Sequence, residues 1–104
     1  MVSRIDKINE LIREQVSLEI FKFCSDKFVS ISSVDTSRDL SYCDIMILAP
    51  KDQDEIIKLL KENRSKIQSE ISKKISLRKM PKIRFHLDNS FSYADRINKL
   101  LEKI

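Results

Sequence analysis

Pro81-Lys82-Ile83-Arg84-Phe85-His86-Leu87, residues 81–87, is the stretch that decides the fold. Ile83, Phe85 and Leu87 alternate with Lys82, Arg84 and His86, and a period of two gives a strand with one apolar and one basic face. Pro81 stands at its head, where a missing N–H costs the ladder nothing. Two helical patterns precede it. Ile67, Ile71 and Ile75 recur every four residues while Lys66 and Lys73 share another face. Upstream, Ile56, Ile57, Leu59 and Leu60 form a short apolar face behind Asp52 and Glu55, a capping-type pair. Asn63 marks the break between the two helices.

A lone strand cannot bury its apolar face, so partner strands are needed, and two lie upstream. From Phe28 to Val34, Val29 and Ile31 alternate with Ser30 and Ser32, which predicts a strand. Asp35-Thr36-Ser37-Arg38-Asp39 reads as a turn. A second strand runs from Leu40 or Ser41 to Leu48, and Pro50 closes it. Before them, Ser3 and Asp6 form a capping pair, and Ile5, Ile8, Ile12, Val16, Ile20 and Phe23 mark a helix over about 4–23. After the turn Asp88-Asn89-Ser90, Ser92 and Asp95 can cap a last helix carrying Ile97, Leu100, Leu101 and Ile104. The order α-β-β-α-α-β-α predicts an α+β fold, a three-stranded sheet with helices on its apolar face. With 104 residues and no linker, one domain over 1–104 is expected.

Twenty Lys and Arg oppose sixteen Asp and Glu, a net +4, but the excess is local. Between Lys61 and Arg84 nine cations face only Glu62 and Glu70, a net +7, which leaves the remainder at −3. Such asymmetry points to a polyanion, because each phosphate neutralised releases condensed counterions. The chain has no glycine, which excludes a P-loop, a GxGxxG turn, a GxSxG elbow, the GxxG loop of a standard KH domain and the RNP1 motif of an RRM. Cys24 and Cys43 form no CxxC pair, and the single histidine, His86, falls on the polar side of a strand. No catalytic or metal constellation emerges. Residues 1–6 lack the apolar stretch of a secretory signal, and the longest apolar run, Ile45 to Ala49, is too short to span a bilayer, so a cytoplasmic protein is expected.

Several stretches resemble the bacterial ribosome-binding factor A family, a variant of the type II KH fold. Val34-Asp35-Thr36-Ser37-Arg38-Asp39-Leu40-Ser41-Tyr42 is similar to the family's Ser, basic residue, Asp and Leu ahead of a strand-opening Tyr. Leu77-Arg78-Lys79-Met80-Pro81-Lys82-Ile83-Arg84-Phe85 resembles its Leu-Arg-x-x-Pro-x-Leu-x-Phe passage, Asp88-Asn89-Ser90 its Asp-x-Ser, and Arg96-Ile97-Asn98-Lys99-Leu100-Leu101 its closing helix. Two features depart from the family pattern. Asn63-Arg64-Ser65 replaces the Ala-x-Gly that usually interrupts the paired helices, and Cys24-Ser25-Asp26-Lys27 replaces the Asp-Pro after the first helix.

The resemblance implies a type II KH-like α-β-β-α-kink-α-β fold with a C-terminal helix. It further implies a non-catalytic, cofactor-free monomer that binds the free 30S subunit and its 16S rRNA and assists late maturation and rRNA processing. No small-molecule substrate and no membrane is expected as a partner. The expected RNA contacts are Asn63, Arg64, Ser65 and Lys66 at the helix break, Lys73, Lys74, Arg78 and Lys79 beyond it, Lys82 and Arg84 on the last strand, and Arg4 and Arg38 at the border. With seven aromatics, most on apolar faces, recognition should rest on phosphates and shape. The competing expectation is a basic module for an acidic protein partner; a DNA-binding dimer is a third and lacks a convincing recognition helix.

Overall fold

The computed structural model describes residues 3–88. Helix α1 spans Arg4–Phe23, and it starts where Ser3 Oγ accepts the Asp6 N–H while the Asp6 carboxylate accepts the Ser3 N–H, the reciprocal capping box its sequence predicts. Strand β1 (Ser30–Thr36) pairs antiparallel with β2 (Tyr42–Leu48), and β2 pairs parallel with β3 (Lys82–Leu87), giving the order β1-β2-β3. Between β2 and β3 lie α2 (Gln53–Glu62) and α3 (Arg64–Lys74). The predicted C-terminal helix falls outside the described residues.

One face of the sheet is sealed by helices. Cys43, Ile45 and Ile47 of β2 and Ile83 and Phe85 of β3 are buried against Ile8, Ile12, Val16 and Ile20 of α1, Ile56 and Leu60 of α2, and Ile67 and Ile71 of α3. Full burial of each Ile or Leu contributes about 1.5–3 kcal/mol, so this layer dominates stability. The other face carries Tyr42, Asp44, Met46, Lys82, Arg84 and His86.

Three expectations are corrected. Strand β1 covers residues 30–36 rather than 28–34, and the turn begins only after Thr36. A bulge between Ile31 and Ser33 is responsible. Ile31 pairs with Ile47 and Ser33 with Met46, so Ser32 is an extra residue that reverses the alternation. Val34 and Thr36 therefore follow Ile31 onto the helix-facing side, where strict alternation would have put Ser33 and Asp35. Thr36 is buried and donates to Asn9 Oδ1 of α1 at 2.5 Å. The third correction concerns Asp52: it precedes α2 in a left-handed conformation, φ 58°, and its side chain caps nothing. Its carboxylate instead faces Lys27, 3.8 Å away, which also reaches Glu55 at 3.4 Å.

Both outer strands are covered by side chains. On β3 the Gln68 amide of α3 acts as a short extra strand: its Nε2 donates to the Pro81 carbonyl at 2.9 Å and its Oε1 accepts the Ile83 N–H at 2.8 Å. On β1, Arg13 donates to the Ile31 carbonyl at 2.6 Å. Replacing Gln68 by Leu leaves two half-buried backbone groups without partners, each costing about 1–3 kcal/mol. Gln68→Leu should lower unfolding stability by about 2 kcal/mol and accelerate exchange of the Ile83 amide selectively. An unchanged Ile83 exchange rate would show that the strand edge does not depend on this side chain.

Candidate nucleic-acid interface

The break between α2 and α3 needs no glycine. Asn63 adopts φ −102° and ψ 9°, within reach of any residue, and both its N–H and its side-chain Nδ2 bond to the Leu59 carbonyl, at 3.1 and 2.8 Å. Asn63 thus closes the end of α2 with its side chain and makes no side-chain cap for α3. Helix α3 resumes at once with the Ile67 N–H on the Asn63 carbonyl. Ser65 and Lys66 are exposed on its first turn, whereas Arg64 is half-buried.

A second cationic group gathers at the end of the sheet where β2 and β3 begin. Asp39 organises the β1–β2 turn: its Oδ1 accepts from Ser37 Oγ at 2.8 Å and the Ser41 N–H at 3.2 Å, and its Oδ2 accepts from Ser41 Oγ at 2.8 Å. These bonds, the Ser41 hydroxyl foremost, hold the Asp39 carboxyl down at about 2. Leu40 takes the left-handed position, φ 61°, that closes the turn. Arg38 is exposed at its tip. Lys79 Nζ donates to the Asp39 carbonyl at 3.4 Å and the Lys82 N–H to the Ser41 carbonyl at 3.0 Å, so Arg38, Arg78, Lys79 and Lys82 lie on adjoining segments. Pro81 and Ile83, on either side of Lys82, are both bonded to Gln68 near the middle of α3, so Lys82 lies alongside that helix.

Not every cation of the segment is available. Lys74 is tied to Glu19 of α1 at 3.5 Å, and Lys22 holds the same buried carboxylate at 3.1 Å. Lys73 pairs with Glu70 at 3.5 Å. Arg84 forks onto Asp44 at 2.7 and 2.9 Å and lies 4.1 Å over the Tyr42 ring, while His86 Nε2 meets the same carboxylate at 2.8 Å. The Arg84 bonds hold the Asp44 carboxyl below the usual aspartate range, and Asp44 holds the Arg84 guanidinium above its own. Among the described residues, the side chains of Arg4, Arg38, Arg64, Lys66, Arg78 and Lys82 have no hydrogen-bond or ion-pair partner. Cys24 and Cys43 are buried free thiols, both pushed up by that burial, which disfavours the nucleophilic thiolate.

Sequence reasoning missed Glu19 and Asp44. Glu19 carried a signal, a carboxylate interrupting the apolar stripe Ile12, Val16, Ile20, Phe23. Asp44 carried none, because its partners lie 40 and 42 residues away.

A family model described as ribosome-binding factor A matches residues 4–101. A ribosome-binding factor A from Petrotoga mobilis is 40% identical over 80 residues, 76% of this chain and 68% of that protein. The crystal structure of ribosome-binding factor A from Thermus thermophilus superposes with a TM-score of 0.74 at 12% identity, covering 84% of this chain and 98% of the other. Coordinates of the T. thermophilus factor fitted into an electron cryo-microscopy map of its complex with the 30S subunit give a TM-score of 0.62 at 15% identity, over 84% and 93% of the two chains.

Because folding depresses the Asp39 pKa, its stabilising bonds are complete above the unfolded value, about 3.9, and are lost as pH falls towards about 2. Carboxyl titration by NMR should place Asp39 near 2, and Asp39→Asn should flatten the stability loss between those two values. A normal titration of Asp39 would mean that the turn opens in solution.

Proposed function

The chain belongs to the ribosome-binding factor A family, and from that premise we propose that it binds the free 30S subunit through 16S rRNA and assists late subunit maturation and 16S rRNA processing. It works by binding alone, as a single-domain monomer in the cytoplasm, without catalysis or cofactor. The observation that carries this reading is that Arg64 and Lys66 at the kink, and Arg38, Arg78 and Lys82 at the sheet end, have no side-chain partner among the described residues. Phosphates supply the missing counter-charge. Lys79 reinforces the second group while anchoring the turn that presents Arg38. Arg4 borders the surface, and Asn63 and Ser65 shape the kink. Lys73, Lys74 and Arg84 contribute less, because each must leave a carboxylate to reach a phosphate. The 30S complex of the T. thermophilus factor supports the choice of partner.

Binding to purified free 30S subunits should fall by roughly 10³ or more between 50 and 200 mM salt if six or more phosphates are engaged. Lys66→Gln and Arg78→Gln should each weaken binding and reduce the log–log salt slope by about 1, whereas Lys74→Gln should leave the slope nearly unchanged. A flat salt response would overturn the phosphate reading, and absence of the protein from the 30S, 70S and polysome fractions on co-sedimentation would point instead to an acidic protein partner.

A further inference from the structure

We infer that the hollow between the end of α1 and the start of α3 receives an unpaired nucleobase of the bound RNA, stacked on Phe23. This inference rests on the RNA-binding reading and deepens it. The hollow is lined by Glu19 and Phe23 from α1 and by Ser65, Lys66, Ser69 and Glu70 from α3. Its exposed surface is mostly apolar, and Phe23 is half-buried there against the core rather than projecting freely. A half-fixed ring loses little side-chain freedom when a flat partner covers it.

The rim says which flat partner. Both carboxylates are already answered, Glu19 by Lys22 and Lys74 and Glu70 by Lys73. Among the lining side chains Lys66 is the one cation, and with no partner among the described residues it supplies an available positive charge at the edge of an apolar floor. The Ser65 and Ser69 hydroxyls and the Lys66 ammonium have no partner among the described residues, so they are free to bond base edges, ribose or phosphate. An apolar peptide would answer the floor and leave the rim unmatched; a nucleotide answers both. Ser65 and Lys66 also belong to the kink, so a base in the hollow is continuous with a phosphate gripped there. The hollow of Phe28, Val29, Ser30, Leu48 and Pro50 has no charged rim and lacks this complementarity.

The two contributions separate in their salt dependence, since stacking releases no counterions. Phe23→Leu keeps an apolar side chain and removes the ring; it should weaken binding to free 30S subunits about tenfold at every salt concentration, with the slope of the parent protein. Phe21→Leu, on an exposed α1 position outside the hollow, should bind like the parent. The chain has no tryptophan, so Phe23→Trp introduces a single fluorophore. That variant should retain binding, and its emission should be quenched when 30S subunits are added and restored as salt releases them. A Phe23→Leu variant that binds like the parent, or unquenched emission from bound Phe23→Trp, overturns the inference while a steep salt slope leaves the RNA reading standing. Absence of 30S binding by the parent removes both.

Discussion

Cys43, Ile45 and Ile47 on the central strand must be covered on one side, and the placement of every other element follows from that requirement. Each inward residue of β2 faces an inward residue on its neighbours: Ile31, Val34 and Thr36 on β1, and Ile83, Phe85 and Leu87 on β3. Three helices with apolar stripes close this face, and the basic residues of α3 and β3 are thereby forced outward. The surface charge is a consequence of the core. An element that slipped by one residue would expose isoleucines and bury lysines, so register and charge presentation are set together.

Building this without glycine has a physical cost that is paid in side-chain hydrogen bonds. Where a turn requires positive φ, Leu40 and Asp52 supply it, and each is over-determined by its surroundings. Leu40 packs against the core and follows the Ser37–Asp39–Ser41 network; Asp52 faces Lys27. The helix break shows the other solution. Asn63 stays at negative φ and uses its amide to satisfy the Leu59 carbonyl, so α2 ends and α3 begins with no left-handed residue between them. The glycine usual in the family at this break is therefore not required to turn the chain.

Elements defined by local pattern were legible in the sequence: α1 with its capping box, the broken pair α2 and α3, β2 from its β-branched and aromatic residues, and β3 from its alternation. What escaped was set by tertiary context. The Ser32 bulge leaves no mark in the sequence, since Ser32 and Ser33 are interchangeable in polarity, and only the need to bury Val34 and Thr36 selects it. Asp52 had the right spacing for a cap, but its backbone turned left-handed and its carboxylate went to Lys27. The candidate site was legible as a charge excess, not as a set of contacts. Whether Lys74 and Arg84 are neutralised depends on Glu19 and Asp44, which they meet only after the chain has folded.

That division of cations changes the direction from which a polyanion can approach. The outward face of β3 reads as basic in the sequence, yet Arg84 and His86 converge on Asp44, with Asp35 paired opposite it on β1. Moving Arg84 to a phosphate would break a bidentate ion pair and its stacking on Tyr42, and leave Asp44 facing a second anion. The open sheet face is therefore a poor phosphate surface despite its arginine. At the kink and at the Arg38–Arg78–Lys82 end no carboxylate has to be displaced, so counterion release there comes without an opposing loss. One group sits at the start of α3 and the other includes Lys82, whose neighbours Pro81 and Ile83 are bonded to Gln68 of the same helix, so on the proposed reading an RNA backbone running along α3 would meet both.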